Sequence, residues 1–241
     1  MNDIIRSLNE RKSVRAYTEE NISPEDKAAI LEAAVQAPTA GNQQLYTILD
    51  ITESEKKKAL SVLCDNQTFI AKAPLVLIFL ADCRKWYKAF TFGGCAERAP
   101  GPGDLLLAVS DANIAAQNAV VAAESLGIGS CYIGDVLEQK EGLSALLSLP
   151  QWVFPAAMLV FGHPTQQQKQ RQKPQRCAME HIVHENGYRD MDEAELRQML
   201  SYKAGQRSYE DWLKSFSNFK FNSDFSREMN RSVRKYLKDF E

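Results

Sequence analysis

Histidine is scarce in this chain: His163, His181 and His184 are the only three. His181 and His184 could share a helix face, but no ligand pattern around them completes a metal site. No G-x-S-x-G occurs and no histidine has a convincing partner, which leaves no Ser–His nucleophile. The five cysteines, Cys64, Cys83, Cys95, Cys131 and Cys177, are odd in number, widely spaced and free of any C-x-x-C. That excludes a zinc ribbon or a disulfide framework and fits free thiols in a reducing, cytoplasmic setting. Long hydrophobic runs are missing too. Asp3, Arg6, Glu10 and Arg11 interrupt any signal peptide, and the most apolar stretch, 104–126, carries Asp111, Asn113, Gln117, Asn118 and Glu124, so no membrane association is expected. A net charge of -2 carries no nucleic-acid signature.

What is present is an ordinary globular composition, 44% hydrophobic and 25% charged over 241 residues, enough for a sizeable core. An enzyme so poor in nucleophiles and bases borrows its chemistry from a cofactor.

The most informative stretch is Arg11-Lys12-Ser13-Val14-Arg15, which follows the amphipathic run of Ile4, Ile5 and Leu8. Guanidinium groups grip phosphate through paired hydrogen bonds, and each such bond to a charged group is worth about 1.5–3 kcal/mol. Taken alone, the stretch reads first as a solvated basic turn. A second basic segment, with Lys173 and Arg176, closes the polar loop 163–177, and the two could converge on one anion.

Ser23-Pro24-Glu25-Asp26 starts a helix that stops before Pro38. Strands are expected over 45–51, 74–81, 129–133 and 155–161, with helices over 56–63, 104–126 and 138–147. The 104–126 helix is apolar or alanine on most of its circumference and reads as a central, almost fully buried element about 35 Å long. Residues 83–103, with Trp86, Tyr87, Phe90, Phe92 and several Gly and Pro, read as a broken aromatic segment covering a pocket. Phe225, Met229, Val233 and Leu237 mark the apolar stripe of a final helix, which must dock on its own core or on a second subunit.

Two further runs suit a flat ligand. Ala37 to Gln44 places amides and a hydroxyl between a helix and a strand, and amides both donate and accept. Gly127 to Asp135 is glycine-rich, which lets backbone approach a ring closely, but it is not a dinucleotide fingerprint.

Taken in order, R-K-S-V-R-x-Y, A-P-T-A-G-N-Q-Q, Asn66-Gln67 before A-K-A-P-L-V-L-I-F-L-A-D, G-I-G-S-C-Y-I-G-D, F-G-H-P and K-P-Q-R resemble the FMN-dependent nitroreductase family over nearly the whole chain. Tyr132-Ile133-Gly134 and the long C-terminal arm look closest to its NADPH-preferring branch. The resemblance implies an α+β fold, with a mainly antiparallel sheet wrapped by helices in an intertwined homodimer. A 1–205 FMN-binding domain and a 206–241 arm packing on the partner are expected.

The resemblance further implies FMN as bound cofactor and NADPH or NADH as co-substrate. Arg11 and Ser13 would face the phosphate and ribityl chain, and Arg15 the pyrimidine edge, where a cation stabilises the negative charge that develops on reduction. Lys173 and Arg176 would close on the phosphate. Thr39 and Asn42 would reach the flavin from the second subunit, Gln67 would contact the ring or ribityl chain, and Tyr132, Ile133 and Gly134 would line one face. Hydride would pass from NAD(P)H through flavin N5 to a nitroaromatic, quinone or flavin acceptor in ping-pong fashion, with no protein nucleophile. A reductive dehalogenase-like or flavin-processing enzyme of the same fold, or a non-catalytic FMN-binding module, are the alternatives.

Overall fold

The computed structural model describes residues 1–241, which form two compact units. The first comprises residues 1–172 and 228–241, the second residues 173–227.

In the first unit, α1 (Asp3–Glu10) is capped by Asn2, whose Oδ1 accepts the Ile5 N–H at 2.9 Å. Ser23 caps α2 (Pro24–Val35) in the same way, accepting from the Asp26 N–H at 2.9 Å, with proline at the first turn. There follow β1 (Tyr46–Asp50), α3 (Ser54–Leu63), α4 (Thr68–Lys72), β2 (Leu75–Asp82), α5 (Arg84–Phe92), α6 (Pro102–Ser125), β3 (Gly129–Ile133), α7 (Lys140–Leu147), β4 (Val153–Gly162) and α8 (Gln166–Gln170). The strands form one antiparallel sheet in the order β1-β2-β4-β3, with Tyr46 opposite Ala81, Leu75 opposite Phe161 and Ile133 opposite Met158.

Central strands β2 and β4 are buried on both faces, which is why each reads as a continuous apolar run rather than an alternation. On one face Ile30 and Ala34 of α2 and Ala115, Ala119 and Ala123 of α6 pack over Leu77, Phe79, Leu159 and Phe161. On the other, Leu60 and Leu143 cover Val76, Ile78, Met158 and Val160. The alanines let α6 lie close to the sheet, and each fully buried aliphatic contributes roughly 1.5–3 kcal/mol.

Three expectations are corrected here. The long helix begins at Pro102 behind the cap residue Gly101, and it is not buried all round: Leu106 is 68% exposed and Leu107 53%, with Ile114 also open. Its alanine side faces the sheet, while these larger residues face outward in the single chain. Residues 83–103 are also more regular than expected. Arg84–Phe92 contains no Gly or Pro and forms α5, ending at Gly93, so only 93–101 is irregular.

The final helix also differs from expectation. In the second unit α9 (Glu193–Leu200) opens with a reciprocal Asp192–Glu195 capping box, and α10 (Tyr209–Lys220) carries the buried Trp212 stacked on Phe216. α11 (Asp224–Leu237) then runs back into the first unit. Its buried seam is Ser232 and Tyr236, followed by Phe240, whereas Phe225, Met229 and Val233 are half-buried and Leu237 is exposed. Ser232 Oγ accepts the Lys140 N–H at 3.0 Å and the Tyr236 ring meets Phe154 edge-on at 5.1 Å, so a polar anchor and an aromatic pair turn the helix away from its purely aliphatic stripe.

Candidate functional site

After α1 the chain turns extended at Arg11 and runs beside β3. Ser13 bridges Ser130 in parallel, and the Val14 N–H donates to the Ser130 carbonyl at 2.9 Å. This approach explains Gly129: a Cβ there would lie 2.5 Å from Val14 Cγ2. That glycine thus serves chain packing, whereas Gly134 has open space where a side chain would stand.

Arg11, Ser13 and Arg15 consequently gather around Cys131. Burial pushes the Cys131 thiol up, while Arg15, Ser13 and Arg11 each pull it back. Burial pushes the Tyr132 phenol up to about 12 against the opposing pull of Arg11, and its hydroxyl donates to Gln117 Oε1 at 3.3 Å. The Ile133 side chain belongs to the core, so this residue offers only backbone. Arg11 Nε and Ser130 Oγ are buried with no hydrogen-bond partner within the chain. Two orphan buried polar groups on these adjoining segments are costly unless a ligand meets them.

Arg15 is exposed, with its guanidinium carbon 6.0 Å from the Phe69 ring centroid, and its backbone N–H donates to Gln168 Oε1 at 3.3 Å. Lys12 points elsewhere and donates to the carbonyls of Lys169 and Arg171. Arg171 in turn donates to the Ser13 carbonyl, which brings a further cation to the segment. Lys173 and Arg176 belong to the second unit, where Arg176 donates to the Pro174 carbonyl at 3.2 Å.

Gln67 stands at the start of α4, its backbone held in both directions by Ser61. Its side-chain amide donates to Asp135 Oδ2 at 2.7 Å, which joins the 67 and 132–135 segments.

Thr39 and Asn42 lie in the loop before β1, the edge strand opposite β3. Asp111, buried within α6, organises that loop by accepting from the Ala40 N–H at 3.0 Å, the Leu45 N–H at 3.2 Å and the Thr39 hydroxyl. Gly41, Asn42 and Gln44 all adopt positive φ there, a conformation that needs such support. Trp86 of α5 adds a bond from Nε1 to the Gln43 carbonyl at 2.7 Å. Beside it a cavity of about 460 Å³ is lined by Trp86, Tyr87, Phe90, Cys95, Arg98 and Leu107. β1 and β3 are opposite edge strands, so one chain does not bring Thr39 and Asn42 together with Tyr132–Gly134.

Sequence reasoning missed Asp111, Asp135 and Arg171. A lone acid inside an otherwise apolar helix was a signal for Asp111. Nothing local distinguishes Arg171 from its neighbours in a basic loop.

Residues 8–163 match the model of the nitroreductase family. The chain belongs to that family. Among curated nitroreductase-family relatives, it is 33% identical over 238 residues to a protein of Bacillus subtilis named FMN reductase [NAD(P)H], with 98% of this chain and 91% of the relative covered. It is 34% identical over 194 residues to the oxygen-insensitive NADPH nitroreductase of Salmonella typhimurium, covering 80% and 78%. Of the solved nitroreductase structures, NfrA2 of B. megaterium superimposes with a TM-score of 0.85 at 31% identity, each chain covered in full. These likenesses agree with the α+β fold and the antiparallel sheet.

Proposed function

We propose that this nitroreductase binds FMN and acts as an NAD(P)H-dependent oxidoreductase. The observation that carries the reading is the corner built by Arg11, Ser13 and Arg15 against Cys131–Gly134, with Arg11 Nε and Ser130 Oγ buried and unpartnered. Its donors suit a phosphate and a polyol chain, and the open space at Gly134 suits the edge of a planar ring. FMN, when bound, supplies two-electron chemistry between NAD(P)H and a nitroaromatic, quinone or flavin acceptor, used in turn by ping-pong.

The residues of the chain bind, orient and polarise. Arg11 and Ser13 hold the phosphate end together with Arg171. Arg15 lies toward the pyrimidine edge, where its charge favours the reduced, more negative ring. Gln67, fixed by Asp135, presents its amide to the ring, and Tyr132, Ile133 and Gly134 offer backbone groups. None of these roles needs a nucleophile or a general base, in keeping with the residues present.

Two copies pair in this reading, because the Thr39–Asn42 loop sits at the opposite edge of the sheet from Gly134. The outward Leu106, Leu107 and Ile114 of α6 supply an apolar face for pairing, and the 206–241 arm adds the exposed Phe219 and Phe221. The five free thiols fit a cytoplasmic setting. Flavin content and turnover test the reading together: about one FMN per chain, and NADPH oxidation that depends on added nitroaromatic, quinone or flavin. A protein that binds FMN without oxidising NADPH or NADH would instead be a binding module.

A further inference from the structure

Beyond the flavin corner, the carboxylates of Asp65, Asp135 and Glu138 each bring one oxygen to a common point, all within 4.8 Å of one another. Asp65 follows α3, while Asp135 and Glu138 flank the short turn after β3, so two distant stretches of chain build the cluster. Glu138 is only 2% exposed, and its Oε1 is fully buried with no hydrogen-bond partner. An acid buried this deeply is normally paired or protonated, and this one is aimed at two further acids.

The surroundings supply no relief from within the chain. Burial pushes the Glu138 carboxyl up to about 7, and Asp65, Asp135 and Glu228 all push in the same direction. Asp65 is raised by burial and by Asp135 as well. No lysine or arginine acts on either group. Gln67 donates to Asp135 Oδ2, which orients that carboxylate but carries no charge to offset it. Asp65 itself is exposed, so the cluster is open to solvent on one side and closed by Glu138 on the other.

We propose that Asp65, Asp135 and Glu138 form a binding site for a hard divalent cation, joined to the flavin corner through the Gln67–Asp135 hydrogen bond. Oxygen-only ligands select Ca²⁺, Mg²⁺ or Mn²⁺ over softer metals. Ca²⁺–oxygen distances of about 2.3–2.6 Å allow oxygens up to roughly 5 Å apart to share one ion, and water completes the shell on the Asp65 side. Mg²⁺ demands a tighter octahedron and gives up its water reluctantly, so Ca²⁺ and Mn²⁺ fit the cluster better. The site stabilises the junction between the 65–67 turn and the 134–138 turn.

Calcium titration of the full-length, FMN-loaded protein after removal of divalent ions tests this, by calorimetry and by thermal melting, with Mn²⁺ electron paramagnetic resonance as a second reading. One ion per chain is expected, with a rise in melting temperature. Glu138→Gln should weaken binding at least tenfold, and Asp65→Asn, a surface change that leaves the core intact, should weaken it as well. Binding that persists undiminished in both variants would place the ion elsewhere and overturn the assignment. No heat, no melting shift and no Mn²⁺ signal change at millimolar ion would also overturn it, leaving Glu138 as a carboxylic acid that holds its own proton. Because these readings do not involve turnover, failure of the flavin assignment is recognised separately, by flavin content.

Discussion

The carboxylate of Asp111, in the middle of α6, accepts the Ala40 N–H at 3.0 Å and so fixes a loop more than seventy residues away in sequence. The same side chain takes the Leu45 N–H and the Thr39 hydroxyl, and Thr39 Oγ1 in turn accepts from the Gln44 N–H at 2.7 Å. Asp111→Ala leaves these donors unpaired in a buried place. With about 1.5–3 kcal/mol for each hydrogen bond to a charged group, a loss of about 3 kcal/mol or more is expected in urea unfolding. Asp111→Asn should keep the fold at smaller cost but loosen the loop. If Thr39 and Asn42 serve the partner's flavin, this variant releases FMN faster while its secondary structure is unchanged.

Arg15→Ala removes an exposed cation with no structural ion pair, so stability should hardly change. FMN affinity should fall tenfold or more, the equivalent of one charge-assisted hydrogen bond, and anaerobic flavin reduction should slow. Flavin fluorescence on dilution reads the first and stopped-flow absorbance the second. Unaltered affinity and rate would remove Arg15 from the site.

Leu106→Asp places a charge on the open face of α6. Light scattering should then report a chain-sized particle where the parent protein reports twice that mass. Tyr236→Ala addresses the chain's own docking of its last helix. Tyr236 is 2% exposed, and removing a buried aromatic costs about 3–5 kcal/mol.

Glu138 gives a pH dependence of defined sign. Its carboxyl is raised from 4.5 to about 7 in the folded protein, so the native state holds a proton that the unfolded chain releases. Stability from this group is complete below pH 4.5 and is lost as pH rises through 7. In a chelating buffer, Glu138→Gln should therefore raise the melting temperature at pH 8 and change it little at pH 5.

Local chemistry made most of the frame legible. The Ser23-Pro24 cap and the continuous apolar runs of β2 and β4 are each dictated within a few residues. Arg11, Ser13 and Arg15 stand out in the sequence as a basic stretch with one hydroxyl, and the structure gathers them around Cys131. What escaped depends on contacts between distant segments. Gly129 reads in the sequence as a ligand-facing glycine but serves the packing of Val14, and Asp111, an interruption of an apolar helix, holds a distant loop. The rotation of α11 toward Tyr236 follows from Ser232 meeting Lys140, a pairing ninety-two residues apart. Residues 83–103 line a pocket as expected but are more regular, because Gly and Pro cluster only after residue 92 and the aromatic half is a good helix in its own right.

The proposed function requires this chain to carry a flavin that NAD(P)H reduces. The direct measurement is the visible spectrum of the freshly purified protein, before and after anaerobic NADPH and then NADH. Oxidised-flavin bands that bleach on addition and return with a nitroaromatic, quinone or flavin acceptor are the predicted result. A protein that stays colourless after incubation with FMN, or whose flavin bands survive both nucleotides, would contradict it.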